Sequence, residues 1–369
     1  MIIADSQFYI YGASHYGQAL TAYLVGAGLR PRAILDRAPK AAQYFGVPCL
    51  PFPEHNFETH YPVIVTILGY SGVESSLHEA GFSEVIDTLS AFELFPPALK
   101  LLNECGVLWM QAPRSKQVDE TQCQALLHLL SDNKSRNTFQ SIVSHRLNPS
   151  RAHYPLPEQY EMYFPEDILQ LYQYDELRVL DVGAFDGDTF AGFFQRYPEA
   201  LKGYTALEAS AKNIQKFLAR LDSMGIAQPN LVSIHRLAVG LPEGQKLKVE
   251  ENASATIVSV VEPHEQVEPD CLVDSVNLGN MMAEVQCNVL KMDIEGADYD
   301  ALCQGANYIR EYTPTLALSL YHKPEDLWRI PLLIESYAPG RYHYYVRQEG
   351  HWLLETQFYA VPKDMLKQQ

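Results

Sequence analysis

The stretch Val179-Leu-Asp-Val-Gly-Ala-Phe-Asp-Gly-Asp-Thr-Phe190 decides the fold class of this chain. A run of aliphatic and β-branched residues ends in Asp181, a turn contains Gly183 and Gly187, and a helix is predicted to begin near Thr189. Gly183 lets ligand atoms approach the bare backbone, and the free N–H groups at the start of the next helix favour a carboxylate. The order of strand, glycine turn and helix therefore predicts a ligand-binding loop at the end of a strand.

Charge decides which ligand suits this loop. The carboxylates of Asp181, Asp186 and Asp188 would repel two phosphates, whereas Asp181 and Asp186 can accept hydrogen bonds from an ammonium group. The next strand ends in Glu208, 27 residues after Asp181, and its carboxylate can accept both hydroxyls of a ribose. The loop thus favours a zwitterionic amino-acid tail over a dinucleotide. A structural turn with a solvated Glu208 is the alternative.

From Leu177 onward, strand-like and helix-like segments alternate. Helical patterns such as 211–223 and 299–311 separate the strands, which is typical of a largely parallel sheet with helices on both faces. The last two strands follow each other closely, so the C-terminal edge is predicted to be antiparallel. The predicted strands of this α/β, doubly wound sheet are Arg178–Val182, Tyr204–Leu207, Leu231–Ile234, Asn288–Met292, Leu316–Leu320, Tyr342–Val346 and Phe358–Val361.

A second group of polar residues follows one of these strands, in Leu290-Lys-Met-Asp-Ile-Glu-Gly296. Alternation along a strand places Asp293 and Glu295 on one side and Ile294 on the other. Because the strand ends at the ligand-binding edge of an open α/β sheet, the two carboxylates can bind Mg²⁺ or orient a substrate hydroxyl. A plain strand-end turn, with Lys291 neutralising one carboxylate, is the alternative.

A histidine follows the next predicted strand, in Tyr321-His-Lys-Pro-Glu-Asp326. An imidazole titrates near neutral pH, so His322 is a candidate general base. The other interpretation is a hydrogen-bonded neighbour with no catalytic role.

The first 95 residues contain a smaller α/β pattern. One strand ends at Gly12 and a later one at Asp36, which lies where an acid would meet a ribose if Gly12 to Gly17 turned around a pyrophosphate. Ser14 stands where the dinucleotide-binding fingerprint has its second glycine, so the motif is incomplete. We predict a Rossmann-like domain with either a dinucleotide site or a purely structural or partner-binding role.

The length of the chain and a pair of prolines indicate more than one domain. With 369 residues it exceeds what a single core usually needs. Pro96-Pro97 ends the first pattern, and helical patterns follow it. We predict a Rossmann-like domain at residues 1–95, a helical connecting region at 96–153 and the main α/β domain at 154–369.

Composition excludes several classes of protein. Hydrophobic residues make up 47% and charged residues 20%, which excludes a mainly disordered, collagen-like or coiled-coil chain. The net charge of −17 opposes binding to nucleic acid or to an anionic membrane. We find no signal peptide and no membrane-spanning stretch. The six cysteines lack C-x-x-C spacing, so we expect reduced thiols in a cytoplasmic protein; the oligomeric state stays open.

Taken in order, the motifs resemble the FkbM family of S-adenosylmethionine-dependent methyltransferases over residues 155–362. The resemblance implies a class I methyltransferase sheet, S-adenosylmethionine as cofactor, a small-molecule acceptor and O-methylation of a hydroxyl, often on a sugar or secondary metabolite. The glycine loop marks only the superfamily, whereas the last two elements are more specific. The elements that carry the resemblance are Tyr163-Phe-Pro165, Asp181–Thr189, Leu207-Glu208, Ala238-Val239, Leu272–Val276, Lys291–Ala297 and Tyr321–Asp326.

The resemblance also implies roles for particular residues. Glu208 would bind the cofactor's ribose, and the glycine loop its amino-acid part. Asp293, Glu295 and His322 are the candidates for substrate binding and proton transfer, with Asp293 and Glu295 binding the metal if Mg²⁺ takes part. The predicted cofactor-binding residues are Tyr163, Asp181, Gly183, Ala184, Asp186, Gly187, Thr189 and Glu208.

Two other functions stay open at this point. The Gly12–Asp36 unit would suit a nicotinamide-dependent oxidoreductase, and a decayed cofactor pocket would leave a non-enzymatic scaffold. Thermal stability with S-adenosylhomocysteine or with NAD separates them, because a ligand bound only by the folded state raises the melting temperature.

Overall fold

The computed structural model describes residues 7–54, 56–67, 72–95, 118–148, 150–226, 231–241, 243–252, 255–261, 264–351 and 353–364. The chain divides into two compact units. Unit 1 comprises Met1–Val118, Gln140–Leu156 and Gly350–Trp352, and unit 2 comprises Asp119–Phe139, Pro157–Glu349 and Leu353–Gln369. The domain boundaries predicted at 95 and 153 stay predictions, and Pro96-Pro97 lies outside the described residues.

The described part of unit 1 contains six short strands: β1 (Tyr9–Tyr11), β2 (Ala33–Asp36), β3 (Gln43–Tyr44), β4 (Val47–Pro51), β5 (Val63–Val65) and β6 (Val85–Ile86). They are ordered β3-β4-β2-β1-β5-β6, with all pairs parallel except β3–β4. The helices beside them are α1 (His15–Gly26), α2 (Val73–Glu79) and α3 (Thr88–Leu94). The central strands β1 and β5 are buried along their whole length, as expected for apolar strands covered on both faces.

The glycine turn of unit 1 is filled by contacts within the unit. Gly12 has a φ of +107°, and a Cβ at Gly17 would lie 1.9 Å from the Gly12 carbonyl oxygen. The Thr66 hydroxyl donates to the same carbonyl at 3.0 Å. The Asp36 carboxylate accepts the Ala13 N–H at 2.7 Å. These contacts account for both glycines and for Asp36 without a ligand, which favours the structural interpretation of the motif.

The remaining described strands belong to unit 2 and are β7 (Leu177–Val182), β8 (Leu201–Leu207), β9 (Val232–His235), β10 (Leu237–Ala238), β11 (Lys246–Asn252), β12 (Ala255–Val260), β13 (Leu272–Ser275), β14 (Val289–Met292), β15 (Thr315–Ser319), β16 (Tyr342–Gln348) and β17 (Thr356–Pro362). Seven form a sheet of order β16-β17-β15-β14-β7-β8-β9. It is parallel from β15 to β9 and antiparallel where β17 pairs with β15 and β16. The predicted α/β class and antiparallel C-terminal edge are confirmed.

Four strands that we did not predict form a small second sheet of order β10-β13-β11-β12. In β11, Leu247 and Val249 are buried while Glu250 is exposed, which is the alternation of a half-buried strand. The charged residues in this segment hide that alternation from sequence analysis. The residues of β12 that line the cavity described below are Thr256, Ile257 and Val258.

The helices that follow along the chain are α4 (Glu120–Leu129), α5 (Asn133–Leu147), α6 (Asp188–Arg196), α7 (Ala211–Ser223), α8 (Leu278–Val285), α9 (Asp298–Gln304), α10 (Ala306–Tyr312) and α11 (Asp326–Tyr337). Phe190 of α6, Phe217 of α7 and Tyr204 of β8 are buried in one aromatic cluster. A Cβ at Gly187 would lie 2.2 Å from the Phe217 ring. The glycine loop before α6 therefore rests directly on the core.

Cys49 and Cys287 are buried free thiols, Cys271 and Cys303 are exposed free thiols, and Cys105 lies outside the described residues. None of the helices in the described part of the chain combines the length and the apolar character needed to cross a membrane.

Candidate active site

A cavity of about 530 Å³ lies in unit 2 at the carboxyl ends of β7, β8, β14 and β15. This is the crevice in which open α/β sheets bind ligands, and its volume is typical of small-molecule sites, on the order of 300–1,000 Å³. Its walls are the loops after those strands, the segment 237–241 and strand β12. The lining residues include Tyr163, Gly183, Asp188, Thr189, Glu208, Asn213, Ile257, Lys291, Asp293, Ile294, Glu295, Tyr321, Lys323 and Glu355.

Gly183 joins two of these loops. Its φ is +80°, and a Cβ here would lie 1.9 Å from the Asp293 carbonyl oxygen. The Lys291 ammonium donates to the Gly183 carbonyl at 2.6 Å and pairs with the Asp181 carboxylate at 3.0 Å. Since Lys291 and Asp181 are both buried, their ion pair holds the glycine loop against β14.

Asp181 and Asp186 are not among the residues that line the cavity. Asp181 accepts a hydrogen bond from the Tyr204 hydroxyl besides its ion pair with Lys291. Asp186 pairs with the Arg220 guanidinium at 2.7 Å. Protein cations and a hydroxyl already contact these two carboxylates, and their predicted contact with the ligand's ammonium group stays a prediction. Asp188 of the same loop lines the cavity instead.

The other predicted residues of this loop divide in the same way. Ala184 is buried and donates its N–H to the Leu207 carbonyl at 3.2 Å, and Gly187 packs on the core as described above. Gly183 and Thr189 line the cavity. The loop thus presents one of its faces to a ligand.

Glu208 lines the opposite wall from the end of β8. Its Oε2 accepts the Phe185 N–H at 2.9 Å, and its Oε1 accepts the Ser210 N–H at 2.8 Å. Burial raises the pKa of Glu208, while these two backbone hydrogen bonds oppose the rise. Both oxygens are fixed in place, and each retains a lone pair for a ligand hydroxyl.

Asp293 accepts hydrogen bonds from two phenols and faces the imidazole of His322. Tyr163 Oη donates at 2.7 Å, Tyr321 Oη lies 3.1 and 3.2 Å from the two carboxylate oxygens, and His322 Nε2 lies 3.1 Å from Oδ1. Burial opposes the charge of Asp293, but the hydrogen bond and charge of His322 outweigh it and hold the pKa of Asp293 below its usual range. Tyr163, predicted to touch the cofactor, thus also positions Asp293.

His322 lies behind the cavity rather than in its wall. The residue is only 2% exposed, its Nδ1 lies 3.2 Å from Asp298 Oδ2, and its Nε2 faces Asp293. Burial disfavours the charged ring, but Asp298 and Asp293 outweigh burial and raise the pKa of His322 well above its ordinary value. His322 therefore lies buried between two carboxylates that favour its charged form, and its role as a general base stays a prediction.

The turn after β14 also differs from the prediction. The strand ends at Met292, and Glu295 adopts a φ of +53°. Ile294, expected on the opposite side, lines the cavity together with Asp293 and Glu295. The Asp298 carboxylate holds this turn by accepting the N–H groups of Ile294 and Gly296. A tight turn, not strand alternation, brings the two carboxylates together.

The predicted Mg²⁺ site has no complete ligand set. Asp293 Oδ1 and Glu295 Oε2 lie 3.1 and 3.7 Å from His322 Nε2, so a protein cation already lies between the carboxylates. No group of three His, Cys, Asp or Glu side chains suited to a metal ion occurs among the described residues. Metal binding by Asp293 and Glu295 stays a prediction.

Several lining residues were not predicted. Tyr321 and Lys323 flank His322, the residue of the 321–326 motif that was predicted to take part. Glu355 comes from the turn between β16 and β17, and Ile257 from the unpredicted strand β12. No sequence motif marks Glu355; its place follows from the pairing of β17 with β15.

Comparison with known proteins identifies the domain that builds this cavity. Residues 181–351 match the family model described as the methyltransferase FkbM domain. This part of the chain is an FkbM methyltransferase domain. The solved methyltransferase FkbM from Methylobacillus flagellatus KT is similar over 96% of this chain and 90% of that chain, with a TM-score of 0.63 and 19% identity. An rRNA methylase from Streptococcus thermophilus covers 53% of this chain and 90% of its own, with a TM-score of 0.32 and 14% identity. No curated protein matches the chain.

The FkbM domain makes the chain a methyltransferase and confirms the predicted family. It contains the Gly183 loop, Glu208 and the turn at Asp293. Tyr163 and Glu355 lie outside the matched residues, yet they line the same cavity. The oxidoreductase alternative, which rested on Gly12–Asp36, is not supported.

Proposed function

We propose that the chain transfers the methyl group of S-adenosylmethionine to a hydroxyl oxygen of a sugar or a similar small metabolite. The observation that carries the proposal is the cavity with the Gly183 turn in one wall and Glu208 in another. In open α/β sheets, a glycine turn after one strand and an acid after the next bind an adenosine ligand at this edge.

The lining residues fit this cofactor. Glu208 keeps lone pairs free beside its two backbone hydrogen bonds and would bind the ribose hydroxyls. Gly183 and Asp188 would meet the amino-acid part, with the Asp188 carboxylate accepting hydrogen bonds from its ammonium group. Apolar side chains such as Val239 and Ile257 would contact the adenine. The bound cofactor supplies an electrophilic methyl group on a sulfonium.

The acceptor would lie at the end of the cavity formed by Tyr163, Tyr321, Asp293, Glu295 and Glu355. Their phenols and carboxyl groups exchange hydrogen bonds with a ligand rich in hydroxyls. The excess of carboxyl groups opposes a phosphorylated or otherwise anionic acceptor, because like charges repel strongly at short distance. A neutral sugar or polyol is therefore the favoured acceptor.

The residues at this end would hold the acceptor oxygen in line with the methyl group. Holding two reactants in a reactive geometry is itself a large part of the rate enhancement of a transfer reaction. Tyr163 and Tyr321 are fixed by Asp293, so their rings form rigid walls around the acceptor. The hydroxyl must also lose its proton, which requires a base in reach.

Methyl transfer can be tested with methyl-labelled S-adenosylmethionine and fractionated sugar and metabolite pools. We expect label in a neutral polyhydroxy compound, as an ether that resists mild alkali. Label confined to RNA, to amines or to alkali-labile esters would contradict the proposal. We expect a chelator to leave transfer unchanged; loss of transfer that Mg²⁺ restores would instead support the metal role of Asp293 and Glu295.

A further inference from the structure

The acceptor proton needs a base that reaches the cavity. At the acceptor end, the described carboxyl groups that line the cavity are those of Asp293, Glu295 and Glu355. His322 is buried behind them. The hydrogen-bond partners of the three carboxyl groups decide which of them is free to act.

Asp293 and Glu295 both lie beside His322. Asp293 accepts hydrogen bonds from two phenols at 2.7 to 3.2 Å and lies 3.1 Å from His322 Nε2, so it is a weak base. Glu295 Oε2 lies 3.7 Å from the same nitrogen, and burial with the neighbouring carboxylates raises the pKa of Glu295 to about 7 against the opposing charge of His322. Glu295 is therefore the rival candidate, and the histidine beside it distinguishes it from Glu355.

Glu355 has much weaker contacts. Its Oε1 lies 3.4 Å from Tyr321 Oη, whose one proton has closer acceptors on Asp293, and its Oε2 lies 3.4 Å from Gln357 Nε2. Both distances are long for hydrogen bonds of these types. A largely buried carboxyl group with only such partners is open to a hydrogen bond from a ligand.

The backbone at Glu355 adopts a left-handed conformation that is unfavourable for a residue with a side chain. Glu355 and Leu353 in the β16–β17 turn both have positive φ, +53° and +58°. Non-glycine residues in the left-handed region are uncommon and cluster at functional sites, and Glu295 in the same cavity shares the φ of +53°. The Glu355 carbonyl accepts the Glu349 N–H at 2.8 Å, which closes the turn and aims the side chain at the cavity.

We propose that Glu355 is the general base of methyl transfer, an inference that rests on the proposed function. As the acceptor oxygen forms its bond to the methyl carbon, the O–H bond breaks and the proton passes to the Glu355 carboxylate. The carbon–sulfur bond breaks with its electron pair left on sulfur. The products are the methyl ether, S-adenosylhomocysteine and protonated Glu355, which returns its proton to water when the site opens.

The charges around Glu355 suit this role. Burial raises the pKa of Glu355 to about 8, and the carboxylates of Asp293 and Glu349 add to the rise. The cations His322 and Lys291 oppose it. A base whose pKa lies near the working pH combines a usable carboxylate population with strong proton affinity.

The test compares Glu355→Gly with Glu295→Gln and with the control Glu311→Gln, an exposed site outside the cavity. Glycine tolerates the positive φ of residue 355, so the turn keeps its conformation while the carboxyl group is lost. Each protein is measured for S-adenosylhomocysteine affinity by calorimetry and for labelled methyl transfer with an accepting fraction, with and without formate.

We expect Glu355→Gly to keep its S-adenosylhomocysteine affinity within about threefold, to lose methyl transfer by about 10²–10⁴-fold and to regain part of it with formate. Retained transfer in Glu355→Gly, or a loss of transfer in Glu295→Gln that exceeds the loss in Glu355→Gly, would overturn the assignment of Glu355. Failure of the wild-type chain to bind S-adenosylhomocysteine would instead overturn the proposed function, so the two failures are distinct.

A second readout needs no acceptor. In protein with ¹³C-labelled glutamate side chains, the resonance missing from Glu355→Gly reports the Glu355 carboxyl group. We expect it to titrate between about pH 6 and 9 in the S-adenosylhomocysteine complex, where a general base is effective. Titration below pH 5 would overturn the proposal even if no fraction accepts the methyl group.

Discussion

His322 is a fixed positive charge in this structure because carboxylates face both of its ring nitrogens and the residue is 2% exposed. Such a charge organises its neighbours: it orients Asp293, which in turn holds Tyr163 and Tyr321. At the scale of single residues, the site is therefore a set of charged and phenolic groups that hold one another in place around the cavity.

Removing the fixed charge should destabilise the protein. His322→Asn leaves the carboxylates of Asp293 and Asp298 without their cation, and breaking a buried ion pair typically costs about 3–5 kcal/mol. Urea unfolding of the variant beside Glu311→Gln measures the loss. A His322→Asn protein within about 0.5 kcal/mol of the wild type would contradict the ion-pair assignment.

The same ion pairs predict the direction of a pH effect. The pKa of His322 is raised in the folded state, so its stabilisation is complete below the ordinary value of about 6.5 and is lost as the pH rises through the raised pKa. The stability difference between wild type and His322→Asn should shrink as the pH increases from 6 towards 10. A difference that grows over this range would show that His322 is neutral in the folded protein.

Sequence motifs placed the right residues near the site but not their partners. Asp181, Asp186 and His322 were predicted to face a ligand, yet cations or carboxylates of the protein contact each of them. The reason is physical: a motif fixes a position along the chain, whereas the direction of a side chain depends on residues such as Lys291 and Arg220 on other elements. Glu208 was predicted at the right edge because its strand end alone determines its place.

At the scale of elements, two turns depend on each other. The Gly183 turn after β7 and the Asp293 turn after β14 approach so closely that no Cβ fits between them. The buried ion pair of Asp181 and Lys291 lies beneath this contact. The two walls of the cavity that these turns form, one at Gly183 and one at Asp293, are therefore held together by the same contacts.

Gly183→Ala should disturb both walls. The new Cβ would meet the Asp293 carbonyl oxygen, and the φ of +80° is unfavourable for alanine, so we expect a loss of more than about 1 kcal/mol of stability together with weaker S-adenosylhomocysteine binding. The matched control is Gly203→Ala on β8, where a Cβ meets no atom within 4 Å. Equal stability and affinity in the two variants would refute the interlocked turns.

The elements that could be predicted are those with strong apolar runs. β7, β14 and β15 were predicted within one residue of their observed bounds, because buried parallel strands are apolar along their length. β11 was missed since only alternate residues are buried and the others are polar or charged. The position of Glu355 in the cavity was missed because it depends on long-range strand pairing.

At the scale of the whole molecule, the chain joins a small parallel α/β unit to a methyltransferase unit. The glycine motif of unit 1 is satisfied by internal contacts, whereas that of unit 2 opens onto a cavity. Two glycine motifs with similar spacing thus differ in the packing around them, which the sequence alone does not reveal.

Two substitutions in helix α1 test this assignment. Gly17→Ala would place a Cβ 1.9 Å from the Gly12 carbonyl oxygen, whereas Gly26→Ala meets no atom within 4 Å. We expect Gly17→Ala to lose more than about 1 kcal/mol and Gly26→Ala to be neutral or slightly stabilised, both with unchanged S-adenosylhomocysteine affinity. A tenfold loss of that affinity in a folded Gly17→Ala protein would contradict a purely structural role.

The most direct test of the central claim is calorimetric titration of the full chain with S-adenosylhomocysteine. We predict saturable binding that Glu208→Ala weakens by about ten- to a hundredfold, the order of one or two charge-assisted hydrogen bonds, while the exposed control Glu199→Ala leaves it unchanged. NAD should give no heat of binding. Saturable binding of NAD without binding of S-adenosylhomocysteine, or full affinity in a folded Glu208→Ala protein, would contradict the account.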